Sequence, residues 1–262
     1  MLNIVKKKPI TNSLRHKFSL NKSLLSKTNI LSKKTINGCS YSYGRCFFSG
    51  RITSWHKGGG TKPLYRKIEF STNQTTSIIV SICYDPLRSA LVNLNFDFEK
   101  KRFFRTLATH KVFVGALIVC ASVLSFLRLG CRTFLSKIPG GILIHSLNVS
   151  YKQTTKYIKS AGTFGQLLQF SFNKGKVKLP SNKIISVSSD SIATLGKVSN
   201  TKHFLTTGGK AGNSRNLGRR PIVRGIAMNP VDHPHGGRSN GGRPSVTPWG
   251  LPTKSKFKLK KK

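Results

Sequence analysis

A carboxylate and two imidazoles crowd together in "VDHPHGG", where Asp232 precedes His233 and Pro234 separates it from His235. A carboxylate beside an imidazole can tune general acid/base chemistry near neutral pH. Three features oppose that use. Adjacent residues do not readily point at one another, Pro234 fixes the backbone between the two rings, and no surrounding apolar run could build a cleft. The other chemistry open to these residues is positioning of RNA, with His233 and His235 bonding phosphate or 2′-hydroxyl groups and Asp232 fixing the loop. The residues around them favour this second reading. The stretch "MNPVDHPHGGRSNGGRPSVTPWG", residues 228–250, is nearly free of aliphatic side chains and adds Asn229, Gly236, Gly237, Arg238, Arg243 and Trp249 to the candidate surface. Such a loop is expected to take its shape from RNA packed around it.

Two further stretches carry the same chemistry. In "GRITSWHKGGGTKPLYR", residues 50–66, Gly58, Gly59 and Gly60 let the backbone adopt positive φ and come close to a phosphate. Arg51, His56, Lys57, Lys62 and Arg66 surround them with donors, and Trp55 and Tyr65 offer faces to unpaired bases. A glycine triplet by itself is equally a mobile loop. In "TTGGKAGNSRNLGRRPIVRG", residues 206–225, Lys210, Arg215, Arg219, Arg220 and Arg224 are spread among small residues. That spacing suits a backbone threaded between RNA helices, where guanidinium forks bind phosphates in pairs.

The elements that must hold these stretches are strands. In "SALVNLNFDFE" the apolar Ala90, Val92, Leu94, Phe96 and Phe98 alternate with Asn93, Asn95, Asp97 and Glu99, the period of a half-buried strand. It follows "TTSIIVSICY" after the turn Asp85-Pro86-Leu87-Arg88, so the pair reads as a hairpin. A second β region opens with "ILIHSLNV" and runs through "FGQLLQFSF", a turn at Asn173-Lys174-Gly175, "KVKLP", "KIISVSS" and "IATLGKV". Nine or ten short strands, with helices no longer than two turns, point to two small barrels. The uncharged run 112–127, "VFVGALIVCASVLSFL", reads as buried strands, being short of a bilayer span and rich in β-branched residues. The expected division is a basic arm over 1–45, barrels over 46–130 and 131–203, and a threading tail over 204–262.

Charge narrows the partner. Against 46 Lys and Arg stand six acids, Glu69, Asp85, Asp97, Glu99, Asp190 and Asp232, for a net charge of +40. Such a chain repels itself in any compact form unless a polyanion neutralises it. About ten phosphate contacts would make affinity fall roughly 10³- to 10⁵-fold between low and moderate salt. A membrane surface or DNA are the rival polyanions, but neither arm holds an apolar stripe at helical spacing for a membrane. The five cysteines, Cys39, Cys46, Cys83, Cys120 and Cys131, contain no C-x-x-C pair and disfavour both a disulfide framework and a zinc ribbon. Cys39, Cys46 and His56 could clasp a metal; reduced thiols are the plainer expectation. No cofactor is expected, and structural Mg ions would be bound through RNA.

At "RGIAMNPVDHPHGG" the sequence resembles the universal bacterial-type ribosomal protein two family of the large subunit. The resemblance extends over "GRITSWHKGGGTKPLYR", "YDPLRSALV", "IPGG", "SAGTFGQL", "ATLGKVSN", "GKAGNSR" and "VTPWG", in the family's order. It implies an OB-like β-barrel followed by an SH3-like β-barrel, with a long extended basic N-terminal arm and C-terminal tail that penetrate large-subunit rRNA. It further implies a place near the peptidyl transferase region and a role in assembly and subunit association, without enzymatic turnover. The implied partners are large-subunit rRNA, neighbouring ribosomal proteins and small-subunit rRNA at an intersubunit contact, with no membrane and no homo-oligomer. The family's D-H-P-H histidine falls on His233, where proposals of catalysis compete with chemistry done by RNA.

Two stretches depart from the family. "YKQTTKYIK", residues 151–159, stands where a basic glycine-rich segment is usual, and the run from Val112 replaces a more polar stretch that a neighbouring protein would then cover. The stretch "IVKKKPITNSLRHKF" aligns with the family's start, leaving no room for a cleaved presequence. With a composition rich in Asn, Lys, Ile and Phe, this points to a protein encoded and used in an organelle, a mitochondrion.

Overall fold

The computed structural model describes residues 4–23, 25–26, 36–37, 44–70, 75–120, 127–149, 155–171, 173–238 and 244–253. Cys39, Arg243, residues 121–126 of the apolar run, 151–154 and the terminal lysine run lie outside these residues. The chain divides into two compact units, Met1–Ser40 with Lys62–Asn213, and Tyr41–Thr61 with Ser214–Lys262.

The first unit carries the strands. Its N-terminal part pairs β1 (Ile4–Lys6) with β2 (Phe18–Leu20) around the single turn α1 (Asn12–Arg15). Phe18 continues onto the tail, accepting the Thr207 amide at 3.1 Å and donating to its hydroxyl at 3.0 Å. Residues 4–20 of the basic arm thus form a short hairpin, with Ile4 opposite Leu20 and Lys6 opposite Phe18. Two short strands, β3 (Ile36–Asn37) and β4 (Leu64–Tyr65), pair with each other.

The main sheet has ten strands. In the OB-like barrel, β5 (Thr75–Cys83) pairs with β6 (Val92–Asp97), which pairs with β7 (Arg102–Leu107), all antiparallel. A bulge between Ile79 and Ser81 bends β5, and its first half turns to pair with β8 (Leu117–Cys120) on the other side. The expected hairpin across the Asp85 turn is present. Its turn is held by Asp85, which is fully buried: the carboxylate accepts the Leu87 amide at 3.0 Å, lies 2.8 Å from Arg88 Nε and 3.8 Å from Arg66 Nη1.

Strand β6 corrects the half-buried reading. Val92 and Leu94 are buried as expected, but Asn93, Asn95 and Asp97 on the opposite face are buried too. Asn95 lines a small cavity shared with Ser77, Thr106, and the second barrel's Arg132, His145 and Thr194. Alternation reports which residues share a face; it does not report that polar partners cover that face.

The SH3-like barrel comprises β9 (Arg132–Phe134), β10 (Leu143–His145), β11 (Gly165–Ser171), β12 (Lys174–Lys178), β13 (Ile184–Ser188) and β14 (Ile192–Leu195). The order is β13-β12-β11-β10-β14-β9, continued into the first barrel by one parallel pairing, Cys120 with Arg132. Leu135, Ile144, Leu147, Leu167, Val177 and Ala193 fill its core together with Cys131. Each large aliphatic among them stabilises the fold by about 1.5–3 kcal/mol on burial. Lys174 and Gly175, expected in the turn after β11, already belong to β12 and pair with Ser171 and Phe170.

The apolar run is also corrected. Among its described residues only Leu117–Cys120 forms a strand, with Ile118 and Cys120 inward, while Phe113 and Val114 are exposed before it. Among the described residues no helix is long and apolar enough to cross a membrane. The helix α2 (Ala211–Asn216) is the longest described.

Candidate nucleic-acid interface

In the second unit two segments far apart in sequence are laced together. The Gly58 amide donates to the Gly218 carbonyl at 3.0 Å, the Thr61 amide to the Asn216 carbonyl at 3.0 Å, and the Arg220 amide to the His56 carbonyl at 2.9 Å. Lys57 and Arg219 form an antiparallel bridge. Gly58, Gly59 and Gly60 all have positive φ, and a Cβ on Gly60 would lie 2.8 Å from the Gly218 nitrogen. Gly60 is therefore needed for the close approach of the 215–220 segment. His56, at φ 57, shares the left-handed conformation that starts the run.

The lacing gathers Arg51, His56, Lys57, Arg215, Arg219 and Arg220 in one unit, all exposed. The exposed Trp55 and Trp249 rings meet at 5.8 Å, tilted by 56°, so two aromatics read separately in the sequence form a pair. By sequence this unit holds fifteen Lys and Arg against one acid, Asp232. All three ion pairs among the described residues, at Asp85 and Glu69, lie in the first unit. That first unit carries Lys62, Tyr65, Arg66 and Lys210, of which Lys62, Tyr65 and Lys210 are exposed and Arg66 is drawn partly inward by Asp85.

The loop with the imidazoles closes on itself. Asn229 accepts the Asp232 and His233 amides at 3.0 and 3.2 Å, His233 accepts the Gly236 amide at 2.8 Å, and Met228 accepts the Gly237 amide at 3.1 Å. His233 is buried, its Nδ1 accepting the His235 amide at 3.1 Å. Gly225 lies flat against its ring, where a Cβ would come within 2.7 Å. His235 donates through Nε2 to the Pro244 carbonyl at 2.9 Å, and the two rings are 4.8 Å apart. A loop expected to be moulded from outside thus also makes its own shape, with backbone bonds in place of an apolar core. Asp232 is exposed, and among the described residues no ion pair joins it to either imidazole. Asn229, Arg224 and Arg238 are exposed around this loop.

Cys46 is described as a free thiol, and among the described residues no group of three metal-ligating side chains comes together. The hairpin over 44–53 runs into the motif at 50–66, and its signal in the sequence is a pair of phenylalanines set between Arg45 and Arg51.

An OB-like barrel, an SH3-like barrel and an acid-poor surface laced by glycines define a β protein built to bind RNA. Residues 32–120 match "Ribosomal Proteins L2, RNA binding N-terminal domain", and residues 128–250 match "Ribosomal Proteins L2, C-terminal domain". The chain is 42% identical to the large ribosomal subunit protein uL2m of Reclinomonas americana, over 96% of this chain and 92% of that one. It is 40% identical to the uL2 proteins of Rickettsia felis and Rickettsia rickettsii, over 97% of this chain and 93% of theirs. The chain belongs to the ribosomal protein L2 family, structural constituents of the ribosome that bind RNA.

Proposed function

We propose that this chain is a structural component of a mitochondrial large ribosomal subunit, bound to large-subunit rRNA near the peptidyl transferase region and supporting assembly and subunit association. The observation that carries this is the second unit, where exposed cations flank glycine-laced backbone and one acid opposes fifteen bases. Such a surface is neutralised by phosphate, and guanidinium forks, backbone amides and stacked indoles are the groups that hold a folded RNA. Trp55, Gly58–Gly60, Lys57, Arg215, Arg219, Arg220, Arg224, His235 and Trp249 make the RNA contacts, joined by Lys62, Tyr65 and Lys210 from the first unit. Arm, two barrels and tail, over 1–45, 46–130, 131–203 and 204–262, act as the functional segments. The exposed Phe113, Val114 and Leu117 support a neighbouring ribosomal protein as a second partner. The uL2m of Reclinomonas americana and the Lys-, Asn- and Ile-rich composition support the mitochondrial setting.

The chain carries no turnover of its own in this reading. His233 holds its loop through its ring nitrogen and its carbonyl, and among the described residues no ion pair joins a carboxylate to it. His233→Gln tests this in purified, fully assembled mitochondrial large subunits. Peptide-bond formation per assembled particle stays within about twofold of the wild type, with any loss appearing as a smaller yield of particles. A collapse of peptide-bond formation in normally assembled particles would overturn the reading.

A further inference from the structure

Residues 44–53 of the second unit form a tight hairpin. Arg45 and Ile52 pair antiparallel, the Cys46 amide donates to the Arg51 carbonyl at 2.8 Å, and the Gly50 amide donates to the Cys46 carbonyl at 3.0 Å. The Thr53 and Ser54 amides both donate to the Gly44 carbonyl, at 2.7 and 2.9 Å. The geometry holds the tip out firmly. At that tip Phe47 and Phe48 are 88% and 94% exposed, the rings edge to face with centroids 5.4 Å apart and planes at 86°.

A turn has no need of two phenylalanines; Gly, Asn, Asp or Ser would hold it better. Nor do these rings shield anything, being exposed at nearly their full surface. They stand between Arg45 and Arg51, both exposed, in the unit with a single acid. An apolar pocket on a protein would meet this doublet only if carboxylates also lined its rim. An unpaired nucleotide satisfies both demands in one group, since its base is an aromatic plane and its phosphates are the counter-charge.

We propose that the Phe47–Phe48 tip is an insertion site for an unpaired RNA base, one ring stacking on the base and the other meeting its edge, with Arg45 and Arg51 on the flanking phosphates. This rests on the RNA-binding reading above and extends it to the phenylalanine pair, which that reading does not use. The perpendicular rings suit one base and not a stack of several. The site is tolerant of base identity, because every base has a face to stack and a phenylalanine ring reads no hydrogen-bonding pattern.

The test uses the full chain and two RNA hairpins, one fully paired and one identical but for a single bulged uridine, titrated over a range of salt. The wild-type chain binds the bulged hairpin about tenfold more tightly, the size of one aromatic stack. Phe47→Leu with Phe48→Leu keeps the apolar surface but removes the ring faces; it loses the preference and leaves affinity and salt slope on the paired hairpin unchanged. Arg45→Gln with Arg51→Gln lowers the salt slope on the bulged hairpin by about two. Retention of the preference by the double leucine variant, or its absence in the wild type, overturns the proposal while leaving the RNA-binding reading intact. Failure to bind either hairpin overturns both. A crosslink from this tip to a neighbouring protein in intact particles, with no nucleotide adduct on Phe47 or Phe48, also overturns it.

Discussion

His145 sits in the barrel junction with no access to water, its Nε2 2.9 Å from the Thr109 hydroxyl and its Nδ1 2.9 Å from the Ser146 hydroxyl. Burial, reinforced by the charge of Arg132, pushes its pKa down from the ordinary 6.5 to about 3. The folded state therefore holds the ring neutral while the unfolded chain protonates near 6.5. Stability from this group is full above that value and is lost as pH falls from it toward 3. Between pH 7.5 and pH 5 the wild type should lose about 2 kcal/mol that His145→Asn does not lose, at one proton's worth per pH unit. Urea unfolding followed by circular dichroism at the two pH values measures the difference; equal slopes for both proteins would refute the assignment. The imidazole in "ILIHSLNV" is plain in the sequence. Its partner Thr109, 36 residues earlier, is not. The same holds for Arg132, a buried guanidinium that donates to Asn148 at 2.9 Å and Thr155 at 3.3 Å, and whose pKa burial lowers to about 10. Nothing in residue type or spacing separates this arginine from those on the surface, because what differs is the neutral acceptors brought to it by folding.

At the scale of elements, the antiparallel hairpin of β5 and β6 was legible from alternation and the Asp-Pro turn, and the core positions Val92 and Leu94 with it. The burial of the polar face of β6 was not, since a row of Asn, Asn and Asp looks the same whether water or folded protein lies opposite. The glycine triplet was legible as a place of positive φ. What comes close to it was less so: the sequence pointed to phosphate, and the structure brings up the chain's own 215–220 segment, 155 residues later at the Thr61 to Asn216 contact. Gly60→Ala should therefore unlace that segment, since the new methyl meets the Gly218 backbone at φ +98. A left-handed strain of about 1–3 kcal/mol exceeds what a surface loop with so few apolar contacts can absorb. Hydrogen exchange should rise at the Gly58, Thr61 and Arg220 amides by tenfold or more and stay unchanged in β10 and β14. Unaltered protection of those three amides would show that the glycines are not needed for the lacing.

For the molecule as a whole, charge decides. Six acids are shared unevenly: Glu69, Asp85, Asp97, Glu99 and Asp190 belong to the unit with the barrels, and Asp232 alone to the other. RNA affinity should accordingly draw its salt dependence chiefly from the second unit. Replacing Arg215, Arg219, Arg220 and Arg224 with Gln should reduce the slope of log affinity against log salt by roughly three to four. An unchanged slope, measured by filter binding with large-subunit rRNA, would place the phosphate contacts elsewhere. The composition made this polyanion dependence readable before any fold was known. The split of the chain into these two units was not readable, because it joins pieces from near the beginning and the end.

That split sets a timetable. A chain made from its amino end has every strand of the ten-stranded sheet available once residue 195 has emerged, whereas the second unit waits for Ser214 onward to rejoin Tyr41–Thr61. The barrels can thus close during synthesis, and the more densely cationic unit comes together after them. A nascent chain of this kind shortens the time its stickiest surface stands complete and unoccupied.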